Sequence, residues 1–242
     1  MNLLSTLMLL PQEAEESGIN LLVRYFNDGG NFMWPVLIIL VIGLAIAFER
    51  VISLNRADVN TRKFILNVKR ALEDGGISAA EEVCANTRGP VASVFQAGLL
   101  RVDEGIDAVE KAVVAYGSIE MSFLERGLVW LSLFIALAPM FGFLGTVVGM
   151  VEAFDAIEAA GDISPSLVAR GIKIALLTTV FGLIAAIILQ FFYNYAVSKI
   201  DRIVVEMEEA SIELIDSLVL MKAGQPLTES PGISTSGGTA AG

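Results

Sequence analysis

The chain has 242 residues, 55% of them apolar and 18% charged, with a mean hydropathy of +0.68. That balance indicates an integral membrane protein with some water-exposed mass rather than a soluble domain. A net charge of −11 without a basic run argues against a nucleic-acid partner. The absence of histidine excludes Ser–His triads, imidazole acid–base chemistry and histidine metal ligands, and no cofactor is implied.

Residues 1–31 open the chain. Residues 2–10 are mostly apolar, but no positive charge precedes them and no clear cleavage site follows, so they read as mature sequence. Ile19, Leu22, Val23 and Phe26 share one helical face, suited to lying on a membrane surface, and the polar run at 27–31 ends that helix. Residues 32–52 form the first predicted span, charge-free over 32–48, with Glu49 and Arg50 at the interface. Residues 53–126 read as a helical loop. Gly75-Gly76 stops one helix, and Ser78-x-x-Glu81 has the capping-box pattern that starts the next. Arg88-Gly89-Pro90 breaks that one, and an apolar-periodic segment over 91–102 ends at Asp103-Glu104-Gly105. In this loop Cys84, the lone cysteine, cannot form an internal disulfide and reads as a small buried apolar residue.

With one proline and no evident stop, 106–151 reads as one helix entering the membrane, whose second span is 127–151. Residues 152–173 connect it to a third span at 174–198. Trp34 and Trp130 lie near span ends, as interfacial aromatics do. Beyond the third span, Ile200, Val204, Met207, Ser211, Leu214, Leu218 and Met221 continue a helical stripe through 199–223, which predicts a third helix of about 50 residues, roughly 75 Å long. Residues 224–242, rich in Gly, Ser, Thr and Pro, read as a disordered tail. The predicted fold is all-α, an integral membrane protein with three transmembrane helices, two of them extended far into the cytoplasm. Ten of the sixteen Lys and Arg residues fall in 49–126, against one in 1–31 and two in 152–173. The bias predicts an outside N-terminus, an inside 53–126 loop, an outside 152–173 connection and an inside C-terminus.

Small residues pattern both later spans. Ala138, Gly142, Thr146 and Gly149 stack at helical spacing, and Gly145 and Gly149 form a second small-xxx-small pair. Ala175, Thr178, Thr179 and Gly182 do the same in the third span. Thr146 lies six residues before Glu152 and Thr179 six residues after Lys173, about 9 Å in each case, so the two hydroxyls should share one layer. Around the axis of a ring they would form a polar collar in an apolar pore. Alternatively, each hydroxyl bonds its own i−4 carbonyl, which the residues alone favour. None of the spans over 32–48, 127–151 and 174–198 holds Asp, Glu, Lys, Arg or His, so a proton route would need a carboxylate from another chain.

At these residues the chain resembles the MotA/TolQ/ExbB proton-channel family, the three-span ExbB/TolQ branch in particular. The match rests on Ala138-Pro139…Gly142…Leu144-Gly145-Thr146-Val147…Gly149-Met150 and on Ala175-Leu176…Thr179…Gly182-Leu183 followed by Tyr193-Asn194. The resemblance implies a homo-pentamer in the bacterial inner membrane. It also implies two copies of a single-span ExbD/TolR-type partner bearing an intramembrane aspartate, a TonB- or TolA-type periplasm-spanning protein, and contact with membrane lipid. By motif position it implies that Thr146 and Thr179, with Thr178 beside them, line the pore, while Ala138, Gly142, Gly145, Gly149, Ala175 and Gly182 pack the helices. Many relatives carry a glutamate where this chain has Ile174, so Glu152 and Asp155, near Lys173 at the outer mouth, are candidates for an acidic role; alternatively they are solvated acids or pair with Lys173 and Arg170. The expected function is an ExbB-like ring subunit, not an enzyme, that uses the proton motive force to energise TonB-dependent transport. A TolQ-like role in envelope integrity and a non-conducting scaffold are the alternatives.

Overall fold

The computed structural model describes residues 18–58, 60–161 and 165–224; the 2–10 stretch and the expected tail from 225 onward lie outside them. The described residues form α-helices and one 3₁₀ turn: α1 (Gly18–Asp28), α2 (Met33–Ala57), α3 (Thr61–Asn86), α4 (Pro90–Leu99), the turn Val102–Glu104, α5 (Ile106–Glu125), α6 (Leu128–Ala160) and α7 (Pro165–Lys222). No strand occurs among them. Segments of α2, α6 and α7 are long and apolar enough to cross a membrane, so the all-α, three-span expectation is met. The chain divides into two compact units, Met1–Ala45 with Leu131–Gln190 and Ile46–Trp130 with Phe191–Gly242.

In the first unit a small apolar core joins Val36 and Ile39 of α2, Ala138 of α6, and Ala185 and Ala186 of α7. Alanine at the α6 and α7 positions lets the helices approach closely enough to interlock with the branched side chains of α2. Outward from this core, Ile38, Val41, Phe143, Val147, Ile187 and Ile188 are exposed, as side chains that meet lipid or neighbouring helices are. Along α1, Leu22 and Val23 are exposed and Phe26 is half-buried, edge-on to Trp34 with ring centroids 5.5 Å apart.

The second unit has a conventional helical core. Phe64, Val68, Leu72 and Cys84 of α3, Val94 and Phe95 of α4, Val109 and Val113 of α5, and Met207, Leu214 and Leu218 of α7 are buried together. From Met207 to Met221 the expected stripe is therefore the face by which α7 joins this core, while Ile200 and Val204 pack in a separate cluster with Leu54 and Leu124. Lys69 and Glu213 pair at 2.6 Å beside it, and Lys199 and Arg202 both donate to Asp58, holding its carboxyl below the usual carboxylate range. Burial pushes the Cys84 thiol up to about 12. A maleimide is therefore expected to leave the folded protein unlabelled at pH 8 and to label it only after unfolding, as mass spectrometry would show.

Local signals place most breaks correctly. Gly76 interrupts α3 with φ 68 and ψ −158, a conformation open to glycine alone. Gly89 and Pro90 separate α3 from α4. Three expectations are revised. The single helix expected over 106–151 is broken at Arg126 and Gly127, which has φ +89, so α5 and α6 are separate. A side chain there would meet the Arg50 guanidinium, whose Nε lies 3.2 Å from the Cβ position, so Gly127 makes room for Arg50 as well as turning the chain. The 152–173 connection is mostly helical, because α6 continues to Ala160 and α7 begins at Pro165, whose missing N–H costs nothing in a first turn. The third helix accordingly has 58 residues rather than about 50.

Candidate functional site

The site is built on the crossing of α6 and α7 within the first unit. Ala138, Gly142, Gly145, Gly149 and Ala153 form the buried side of α6. Each faces a particular part of α7. A Cβ on Gly182 would stand 2.7 Å from the Ala138 carbonyl oxygen and 3.1 Å from the Gly142 Cα. One on Gly142 would stand 2.9 Å from the Thr178 carbonyl oxygen, one on Gly145 2.7 Å from the Thr178 Cβ, and one on Gly149 3.3 Å from the Ala175 nitrogen. One on Gly171 would stand 2.2 Å from the Ala153 Cβ. The two backbones thus touch through five successive positions of α6. Ala138, Gly142, Gly145, Gly149, Ala175 and Gly182 all lie in this seam; Ala153 and Gly171 extend it just outside the charge-free stretches 127–151 and 174–198.

The threonines divide by role. Thr178 is fully buried, and its hydroxyl donates to the Ala175 carbonyl at 2.8 Å. Gly145 of the same chain covers it, so within the chain Thr178 lies in the seam. Thr179 is half-buried and donates to the Ala175 carbonyl at 3.5 Å and, across the seam, to the Gly142 carbonyl at 3.3 Å. Thr146 is half-buried, one turn beyond Gly142, and donates to the Phe143 carbonyl. The i−4 bond that the residues alone favoured is present at Thr179, with one added bond between helices, whereas Thr146 and Thr178 donate to i−3 carbonyls. A hydroxyl that donates inward still carries two lone pairs, so a half-exposed Thr146 can accept a hydrogen bond from water or a protonated partner.

The acids and the lysine separate as well. Glu152 and Asp155 are exposed on the last turns of α6. Lys173 pairs instead with Asp28 at the end of α1, Nζ to Oδ2 2.6 Å. The hydrogen bond from Lys173, aided by the charges of Lys173, Arg24 and Arg170, holds the Asp28 carboxyl below its ordinary value of 3.8. Sequence reasoning missed Asp28, since 145 positions separate it from Lys173 and no local pattern links them. Ile174 is half-buried, its Cγ2 3.6 Å from where Gly30 would carry a Cβ. Because the Asp28 pKa is depressed, this pair's contribution is complete above pH 3.8 and is lost as pH falls through the lower, folded value. Hydrogen exchange over 18–28 is expected to be unchanged between pH 7 and 5, after correction for intrinsic rates, and to rise only once the pH falls through the depressed value of Asp28.

The sequence profile of the MotA/TolQ/ExbB proton channel family matches residues 86–209, which include the whole α6–α7 seam. The chain belongs to the MotA/TolQ/ExbB proton channel family. An ExbB homolog of Methanothermobacter thermautotrophicus, named for biopolymer transport, is 32% identical over 197 residues, 81% of this chain and 68% of that protein. A protein of Synechocystis named ExbB-like 1 is 30% identical over 182 residues, covering 73% of this chain and 71% of its own length. Among solved structures, a chain of Campylobacter jejuni MotAB superposes with a TM-score of 0.56 at 15% identity, covering 80% of this chain and 78% of that one. At that identity the likeness is one of fold. The family match covers Thr146, Thr178 and Thr179 and leaves α1, with Asp28, outside.

Proposed function

We propose that this protein is an ExbB-like ring subunit of a proton-driven motor in the bacterial inner membrane. Its N-terminus would be periplasmic and its C-terminus cytoplasmic. Five copies would surround two copies of a single-span ExbD/TolR-type protein whose intramembrane aspartate carries the proton. The motion would pass to a TonB-type protein and energise transport across the outer membrane. One observation carries the reading: the charge-free stretches of the spans hold no Asp, Glu, Lys, Arg or His, yet α6 leaves Thr146 half-buried beside a tightly closed seam. Such a wall can pass a proton along hydroxyls and water but cannot hold one, so the carboxylate must come from a partner. The names of the long-coverage relatives favour the ExbB role over the TolQ role.

The test is the native mass of the purified membrane assembly, co-expressed with a single-span, aspartate-bearing partner of the ExbD type. A ring of five retaining that partner is expected. A stable ring that never takes up the partner would leave the membrane without a proton carrier and would favour a scaffold.

A further inference from the structure

Lys173 stands at the end of α7 from which the seam leads to Thr178 and Thr179. Six residues, about 9 Å of helix, separate it from Thr179. The end of α1 meets α7 along this stretch. Asp28 meets Lys173 at 2.6 Å, and Phe26 packs edge-on to Phe181 with ring centroids 6.5 Å apart. Four charged groups meet in their action on Asp28: Asp28 itself and Arg24 from α1, Arg170 and Lys173 from α7. Three are cationic, and Asp28 is the acid among them. Ile174 adds no charge. An uncompensated ammonium at this depth would oppose the entry of protons, since a unit charge about 9 Å away acts strongly at the effective dielectric of a protein boundary.

We propose that Asp28 is a positioning residue of the proton path: it cancels the charge of Lys173 at the outer mouth and ties that ammonium to α1. This inference rests on the motor reading above and deepens it, by assigning the electrostatics of the mouth to a residue outside the family match. The role is distinct from simple anchoring. If Asp28 acts by neutralising Lys173, removing the lysine makes the aspartate dispensable. If the pair only anchors α1, removing either partner does the same harm.

The experiment measures proton flux into proteoliposomes holding the ring and its partner, with the mass of each assembly checked beforehand. D28N is expected to lower flux about tenfold, while K173Q and the D28N/K173Q double variant stay within about twofold of wild type. Wild-type flux in D28N overturns the proposal. So does equal loss in all three variants, which would make the pair an anchor. Where D28N does not assemble, the D28K/K173D exchange keeps both the pair and the net charge; flux within about twofold of wild type is expected, and a tenfold loss in an assembled ring overturns the proposal. A wild-type ring that holds its partner and passes no protons overturns the motor reading, and this inference falls with it.

Discussion

Replacing Gly182 with alanine is expected to destabilise the first unit by about 3 kcal/mol or more, a large effect for one methyl group. The reason is the identity of the atoms in its way. The new Cβ would stand 2.7 Å from the Ala138 carbonyl oxygen and 3.1 Å from the Gly142 Cα, both backbone atoms. No rotamer change relieves such a contact; one helix must move off the other. That separation would also lengthen the bond from Thr179 to the Gly142 carbonyl, already 3.3 Å. Gly149→Ala is the control. Its Cβ would meet the Ala175 nitrogen at 3.3 Å, where a shift of a few tenths of an ångström suffices, so a loss below about 1 kcal/mol is expected. Loss of helicity on titration of the detergent-solubilised protein with SDS would measure both. Equal stability of the two variants would show that the seam is not the close contact described.

Thr146→Val and Thr179→Val are expected to lower proton flux at least about tenfold while ring and partner still assemble, whereas Thr178→Val conducts close to the wild-type rate. Valine keeps the branched shape of threonine and removes only the hydroxyl. At Thr146 the change takes away a half-exposed oxygen, and at Thr179 it takes away the oxygen that reaches across to Gly142. At Thr178 the hydroxyl is sealed under Gly145 and bonded to Ala175, out of reach of any solvent file. Its loss would remove one internal hydrogen bond, about 1 kcal/mol, without touching the path. Flux assays on the three assembled variants distinguish a channel from a scaffold, since a scaffold would function with all three. A loss confined to Thr178→Val would reverse the roles assigned here.

These roles were only partly legible in the sequence. The spans were, because a membrane crossing is a matter of length and absence of charge, and charge-free runs of 17 and 25 residues are visible without knowing what packs on them. The breaks at Gly76 and Gly89-Pro90 were as well, because glycine and proline act through their own backbone geometry. So was the lack of Asp, Glu, Lys, Arg and His within the spans, on which the proposed partner carboxylate rests.

Other features depend on residues far apart in the chain. Two small-residue rows run along α6, one through Gly145 and one through Thr146, and spacing alone cannot say which one α7 covers. The structure places Gly145 in the seam and leaves Thr146 beside it, which separates the packing threonine from the exposed one. The break at Gly127 was hidden for a similar reason: a single glycine in an apolar helical run is tolerated, and only Arg50, lying against it from another helix, shows why the chain turns there. Asp28 reads as a turn residue until α7 brings Lys173 to it. The sequence by itself determined the class of protein, its spans and the absence of charge within them. The tertiary structure alone decided which faces meet, because that choice rests on steric fit and on ion pairing between segments that no local pattern connects.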